Sequence, residues 1–224
     1  MTDAAQTRTA KPPRGRPPTD SSRDRMTNLL QIAREHFIRD GYRATTMDVI
    51  AAAAGITKRT LYSWHGDKAS LFRACVIKGA QQFPVFSFCG TASVRRVLEN
   101  YAIALMTRLS TDESRGLGIL YPREGREFPE IAAIVQQVRD DYMVKPLAAY
   151  LREHGLEKSR STEHSRLFVA MTLARVHDRL LLGSPLPAGP AIRRHAKRVT
   201  DVFLAGASAS RVQSDDGEPR ECAG

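Results

Sequence analysis

Residues 46–62 read TMDVIAAAAGITKRTLY, and this stretch decides the fold class of the chain. Two short helices that cross closely need a small residue at their contact, which Ala51 supplies. Gly55, four residues later, allows the positive φ angle that a tight turn between two helices often requires. Leu61, six residues further along, is an apolar anchor that faces back towards the first helix. This spacing predicts a helix-turn-helix.

The sequence before this motif predicts another helix. Leu29, Ala33 and Phe37 recur at the three-to-four-residue spacing of a buried helix face. Gly41 is expected to end that helix, since glycine is the usual residue just beyond a helix C-terminus. We therefore expect a helical head domain over residues 22–68.

Polar residues that can cap the helices of this head occur at the expected places. Thr45 or Thr46 can cap the helix that begins at about residue 47, and Thr45-x-x-Asp48 resembles a capping box. Thr57 can cap the second helix of the motif, and Asp67 can cap a helix that follows it. These caps predict where each helix begins.

The start of the second motif helix carries the residues that can reach DNA. In a helix-turn-helix the N-terminal residues of this helix enter the major groove. Lys58 and Arg59 can donate hydrogen bonds to guanine edges or to phosphate, although a plain solvated face is the alternative. The threonines can act as caps alone, and Tyr62 can serve local packing. The predicted DNA-contacting residues of the head are Thr46, Thr57, Lys58, Arg59, Thr60, Tyr62, Trp64, His65 and Lys68.

Residues 1–21 form a basic segment rich in Pro, Thr and Arg, which predicts a disordered arm. Arg14 and Arg16 lie in an Arg-Gly-Arg-Pro sequence that looks like an AT-hook, a motif that inserts arginines into a narrow minor groove. A solvating basic tail is the alternative. The formal net charge of +10 favours a phosphate-bearing partner. If the arm dominated binding, the protein would be a less sequence-specific architectural DNA-binding protein.

The rest of the chain predicts a helical body over 69–208 and a disordered tail over 209–224, so the expected class is all-α. Pro146 is expected to kink or divide the longest body helix. The predicted body helices lie near 91–109, 113–123, 129–154, 162–183 and 190–206.

Enzyme classes lack sequence support, and we expect neither a catalytic residue, a metal site nor a cofactor. The six histidines and three cysteines form no metal-ligand spacing, and no nucleophile elbow or Walker loop is present. His177 and Asp178 are interpreted as a polar notch at an interface rather than a catalytic pair. The N-terminus lacks the apolar segment of a signal peptide, and no apolar run approaches a membrane span. We therefore expect a cytoplasmic protein without membrane contact and with free thiols at Cys75, Cys89 and Cys222.

Residues 25–72 resemble the TetR family of regulators. The resemblance is carried by Gly41-Tyr42-x-Ala44-Thr45-Thr46-Met47-x-x-Ile50-Ala51-x-x-Ala54-Gly55-Ile56-Thr57-Lys58-x-Thr60-Leu61-Tyr62 and Gly66-Asp67-Lys68-x-x-Leu71-Phe72. It implies an Ω-shaped homodimer that binds a palindromic operator in double-stranded DNA, usually as a repressor, and leaves it when a small-molecule effector enters the body. The chain departs from the family at His65, where an aromatic residue, most often Phe, is usual. Either Trp64 takes over the packing there or His65 packs in its neutral form.

The resemblance also implies an effector pocket in the body and a dimer interface on its last two helices. The stretch 121–131 is similar to a run in AefR-like members of the family. Candidate pocket residues, for which ordinary core packing is the alternative, are Tyr101, Leu105, Met106, Leu120, Tyr121, Phe128, Tyr142 and Phe168. Candidate interface residues, which can instead pack within their own subunit, are Leu167, Met171, Ala174, Leu181, Ile192, Ala196, Val199 and Phe203.

Overall fold

A computed structural model describes residues 19–83, 93–156, 160–185 and 189–215, and these residues form helices without any strand. The predicted all-α class is confirmed. None of the helices in these ranges is long and apolar enough to cross a membrane. The elements are α1 (Thr19–Ala44), α2 (Met47–Ala53), α3 (Lys58–His65), α4 (Lys68–Ala80), α5 (Val94–Leu109), α6 (Asp112–Glu124), α7 (Pro129–Arg139), a π-helical turn (Asp140–Val144), α8 (Lys145–Glu153), α9 (Ser161–Leu182) and α10 (Gly189–Asp215).

Helices α1 to α4 close around one apolar core. Leu29 and Phe37 of α1, Ile50 of α2, Leu61 of α3 and Phe72 of α4 are fully buried. The Phe37 and Phe72 rings meet edge to face with their centroids 5.2 Å apart. Burial of each such side chain stabilises the fold by about 1.5–3 kcal/mol. The apolar periodicity of the head therefore corresponds to its core.

This core does not end at residue 68, the predicted end of the head. Leu120 of α6 and Ile131, Ile134 and Val138 of α7 belong to the same buried cluster. Helix α4 lies between the two groups and packs on both α1 and α7. A displacement of α6 or α7 would therefore disturb side chains that also hold the head.

Helix α1 is interrupted at Gly41, whose φ and ψ angles are 86° and 167°. This backbone conformation is accessible to glycine because glycine has no Cβ atom. The Gly41 carbonyl accepts a hydrogen bond from the buried hydroxyl of Thr45 at 2.6 Å. The hydroxyl of Thr46 instead caps α2 by accepting from the Val49 N–H at 3.2 Å. The predicted capping box that starts at Thr45 is therefore wrong, because that side chain is already used by the preceding turn.

The body has a second apolar core between α5, α8, α9 and α10. Leu105, Phe168 and Ala196 are fully buried there. The buried hydroxyl of Tyr101 donates to the Met143 carbonyl at 3.0 Å, which joins α5 to the π-helical turn. The buried residues of this second core differ from those of the first.

The predicted break of the long body helix occurs just before Pro146. Helix α7 ends at Arg139, and the Lys145 N–H bonds to the Asp140 carbonyl in a wider, five-residue turn. Proline has no N–H, so Pro146 cannot continue the regular helical hydrogen-bond ladder, and a π-helical turn accommodates the loss. Arg139 is the last residue of α7, and Asp140 is the first residue of this turn.

Helix α10 extends beyond its predicted end at Gly206 and reaches Asp215. It therefore includes the first residues of the predicted tail, whereas residues 1–18 and 216–224 lie outside the described ranges. Cys75 is a buried free thiol. Cys89 and Cys222 also lie outside the described ranges.

Candidate functional site

The turn between α2 and α3 sets the direction of α3. Gly55 has a φ angle of 64°, in the region that favours glycine. The N–H of Ile56 donates to the Ala51 carbonyl at 3.1 Å and closes the turn. Leu61 then anchors α3 in the head core. Because the Leu61 side of α3 faces the core, the opposite side of the helix faces solvent.

Both predicted threonine caps on the exposed surface are present. Thr57 precedes α3 and accepts from the Thr60 N–H at 3.1 Å. The two hydroxyl oxygens of these residues lie 2.7 Å apart. Thr46 occupies the equivalent position before α2, and both cap residues are exposed. The two helix N-termini therefore face solvent with N–H groups suited to anions.

The two cations at the start of α3 have different surroundings. Lys58 forms an ion pair with Asp48 of α2, with 2.8 Å between Nζ and Oδ1. This hydrogen bond and the carboxylate charge raise the pKa of Lys58. Arg59 is exposed and makes no ion pair with any residue in the described ranges. Tyr62, one turn on, is also exposed, with the Lys58 ammonium 5.9 Å from its ring centre.

Trp64 and His65 lie beneath the exposed face rather than on it. Trp64 packs against the head core and is partly buried. The His65 Nε2 atom is buried and has no hydrogen-bond partner in the described part of the chain. Desolvation lowers the pKa of His65, so the neutral ring is favoured. Both side chains are half-buried, and their contact with DNA stays a prediction.

Lys68, at the start of α4, is half-buried. Its ammonium donates to the Tyr42 carbonyl at 2.9 Å and lies 4.4 Å from the Tyr42 ring centre. The Phe128 ring centre lies 6.0 Å from the same ammonium. Desolvation lowers the pKa of Lys68. This side chain lies at the junction between head and body, and its contact with a DNA strand stays a prediction.

Head and body are joined by contacts that sequence patterns did not reveal. The Arg43 N–H donates to Glu124 at 3.0 Å, and the Arg43 guanidinium pairs with Glu127. The Tyr42 and Phe128 rings pack with their centroids 5.2 Å apart. The partners of these contacts are some eighty residues apart in the chain, so no local signal identifies them. The end of α6 and the residues just after it therefore contact the segment that leads into the helix-turn-helix.

Arg14 and Arg16 of the predicted AT-hook lie outside the described residues. Of the predicted head residues, Thr57, Lys58, Arg59 and Tyr62 are exposed at α3, Thr46 is exposed before α2, and Thr60 is half-buried. Asp48 offsets the positive charge of Lys58 by pairing with it, whereas Arg59 at the front of α3 remains exposed.

The body contains a cavity of about 540 Å³ between α4, α6, α7 and α9. Most of its wall is apolar, including Val76, Leu117, Val135, Leu173, Val176 and Leu180. A volume of this size suits a small organic ligand. The cavity touches α4 and α6, the two body helices that pack on α1.

Most of the residues predicted from the sequence to line a pocket do not line this cavity. Of the predicted pocket residues, Tyr121 lines it. The others are buried or packed in the two apolar cores instead: Tyr101, Leu105, Met106, Leu120, Phe128, Tyr142 and Phe168. Helical periodicity identifies a buried face, but it does not tell whether that face meets another helix or an empty space.

The predicted interface residues divide between two environments. On α9, Leu167 and Leu181 are 53% and 66% exposed, Ala174 is exposed and Met171 is half-buried. On α10, by contrast, the predicted residues are buried within their own subunit: Ile192, Ala196, Val199 and Phe203. They are therefore corrected to core residues, because α10 turns its apolar stripe towards α5 and α9.

Comparison with known proteins finds sequence similarity in the head. Residues 29–75 match the family model described as bacterial regulatory proteins, tetR family. The HTH-type transcriptional regulator YhgD of Bacillus subtilis (strain 168) is 41% identical over 49 residues. That alignment spans 22% of this chain and 26% of the length of YhgD, so it concerns the head alone.

Solved structures share the fold of most of the chain. A TetR-family transcriptional regulator from Mesorhizobium loti MAFF303099 matches with a TM-score of 0.67 and 24% identity, over 83% of this chain and 97% of its own. The flavonoid-responsive regulator FrrA matches with a TM-score of 0.68 and 22% identity, over 82% of this chain and 96% of its own. At these identities the similarity establishes the fold, including the helical body.

Proposed function

We propose, from the premise that this chain belongs through residues 29–75 to the TetR family of bacterial regulatory proteins, that it is a homodimeric transcriptional repressor released from a palindromic operator by a small molecule. One observation carries the DNA-binding part of this proposal. The front of α3, capped by Thr57 and braced by Leu61, presents Arg59 to solvent from a rigid support. A side chain on such a support can read base edges because its position is set before DNA arrives.

In this proposal Arg59 reads bases, and the capped N-termini of α2 and α3 hold phosphates. Arginine bonds guanine through two donors, which is the commonest specific contact in the major groove. Thr46 and Thr57 leave their helix N-termini exposed, where backbone N–H groups and the helix dipole attract phosphate oxygens. Arg14 and Arg16 would add a minor-groove or non-specific contact from the arm.

The exposed apolar side chains of α9 support dimerisation. Leu167 and Leu181 face solvent in the single subunit, and Val202 of α10 is 57% exposed. Large exposed apolar side chains on neighbouring helices are typical of a subunit interface. A two-fold dimer would place two α3 helices on successive half-sites of a palindrome.

The cavity supports effector control. It is bordered by α6, whose last turn contacts Arg43 at the entrance to the helix-turn-helix. A ligand that favours a different position of α6 would therefore change the geometry of the DNA-binding head.

Selection from random double-stranded DNA with the purified protein tests the proposal. We expect one palindromic sequence to be enriched and bound about 10³-fold more tightly than random duplex. Arg59→Ala should reduce this preference by about 1–3 kcal/mol at the contacted base pair, whereas Arg160→Ala, an exposed arginine next to α9, should leave it unchanged.

Two results would contradict the proposal in different ways. Equal loss of affinity on every sequence in Arg59→Ala would remove the base-reading role of that residue. The absence of any preferred sequence, with or without candidate metabolites, would exclude a specific regulator. In that case, binding that depends on residues 1–18 would favour the architectural alternative.

A further inference from the structure

The body cavity has a cationic edge and an otherwise apolar or neutral wall. Arg139 of α7 and His177 of α9 line it, together with the uncharged Ser114 and Gln136. No carboxylate occurs among the lining residues within the described ranges. A ligand with a positive charge would therefore find no counter-ion there, whereas an anion would find Arg139.

The charge of Arg139 is only partly compensated by its neighbours. Its guanidinium reaches the Asp140 carboxylate at 3.4 Å, which is a long contact. Arg166 holds the same carboxylate at 2.8 Å. The adjacent Asp141 pairs with Lys145 at 2.5 Å. Two arginines thus share one carboxylate, and Arg139 has the weaker contact.

His177 stands beside this arginine on the facing helix. Desolvation and the positive charge of Arg139 lower the pKa of His177, and the opposing effect of Asp178 is smaller. The neutral ring can donate one N–H to an incoming oxygen. His177 and the neighbouring Leu181 are exposed in the single subunit.

We propose that the cavity binds an amphipathic monoanion whose carboxylate is held by Arg139 beside His177 and whose apolar body fills the space between α4, α6 and α7. Arginine bonds a carboxylate through two parallel N–H donors. The apolar wall favours a hydrocarbon or aromatic body with no second charge, since a buried unpaired charge is costly. This inference rests on the proposed function, because it names the chemical class of the effector.

Binding of matched charged and neutral probes to the full chain tests this class. Decanoate and biphenyl-4-carboxylate are compared by calorimetry and thermal shift with 1-decanol and biphenyl-4-methanol. We expect each carboxylate to bind about tenfold or more tightly than its alcohol, the factor that one hydrogen-bonded charge pair contributes. Arg139→Gln should remove this preference without weakening alcohol binding, Arg139→Lys should retain part of it, and Arg160→Gln should behave like the parent.

Several results would overturn the inference. These are equal binding of the alcohols, an unchanged carboxylate preference in Arg139→Gln, and failure of both carboxylates to bind at millimolar concentration. Release of the selected operator is measured separately. If the carboxylates bind through Arg139 but leave the DNA complex intact, the ligand class stands and the proposed release mechanism falls.

Discussion

The helix-turn-helix and the body cavity are assembled in opposite ways. α2 and α3 lie within residues 47–65, and their caps, turn and anchor come from residues 46–61. The cavity takes its wall from residues as far apart as Val76 and Leu181. A site built from neighbouring residues is visible in a sequence pattern, whereas a site between distant helices exists only once they have packed. Variants in each region can therefore distinguish the effects of local contacts from those of long-range contacts.

The largest expected effect comes from the anchor of α3. Leu61→Ala should lower the free energy of unfolding by about 2–5 kcal/mol, because it leaves a cavity in the fully buried head core. Urea denaturation measures this change. The neighbouring Tyr62→Ala is the control and should stay within about 0.5 kcal/mol, since Tyr62 is exposed. Similar losses for both variants would show that α3 is not anchored by this leucine.

A smaller effect is expected at Gly55 and Gly41, two of the head glycines with positive φ angles. Gly55→Ala should lower the free energy of unfolding by about 1–2 kcal/mol through backbone strain. No steric clash adds to this cost, because nothing lies within 4 Å of an added Cβ atom. Gly41→Ala should cost more, because its Cβ atom would lie 2.5 Å from the Glu124 Oε1 atom and disturb the head–body junction. Thermal unfolding of both variants gives the comparison. Equal destabilisation by the two variants would mean that the head–body junction contributes little to stability.

A change in DNA affinity is expected from Asp48→Asn. Loss of the carboxylate frees Lys58 from its ion pair, so one more cation can contact phosphate. We expect tighter binding to all duplexes and a plot of log K against log salt that is steeper by about 0.9. Stability should change by less than about 1 kcal/mol, since the pair is exposed. The exposed Glu153→Gln in α8 is the control, and an unchanged salt slope in Asp48→Asn would show that Lys58 does not reach the DNA.

The smallest expected effect concerns pH. Because desolvation lowers the pKa of His65 in the folded state, the unfolded chain binds more protons below the ordinary histidine pKa of about 6.5. The free energy of unfolding should therefore fall as the pH drops below that value and stay level above it. His65→Phe should flatten this dependence in urea titrations at pH 5 and pH 7. His177 acts with the same sign, so some dependence should remain, and an unchanged profile would contradict the role of His65.

Much of the head was predictable because its determinants are close together in the chain. The break at Gly41, the cap at Thr57 and the anchor at Leu61 all occur where the sequence pattern places them. Lys68 was not predictable in this way. Its position at a helix start suggested DNA contact, but Tyr42 and Phe128 draw its ammonium into the head–body junction.

The same limit applies to the body. An apolar stripe on α10 predicted an interface, yet Ile192 and Phe203 pack inside their own subunit. No local sequence signal marks Arg139 as the cation at the cavity edge, because its role depends on how Asp140 is shared with Arg166.

The amino-acid sequence by itself determined the helical class, the order of the first helices and the exposed front of α3, since periodicity, caps and a turn glycine act over a few residues. The tertiary structure alone decided which buried faces meet a partner helix and which meet a cavity. It also decided which cations are already paired. Those outcomes depend on contacts between distant segments, and the spacing of residues along one helix carries no information about what packs against it.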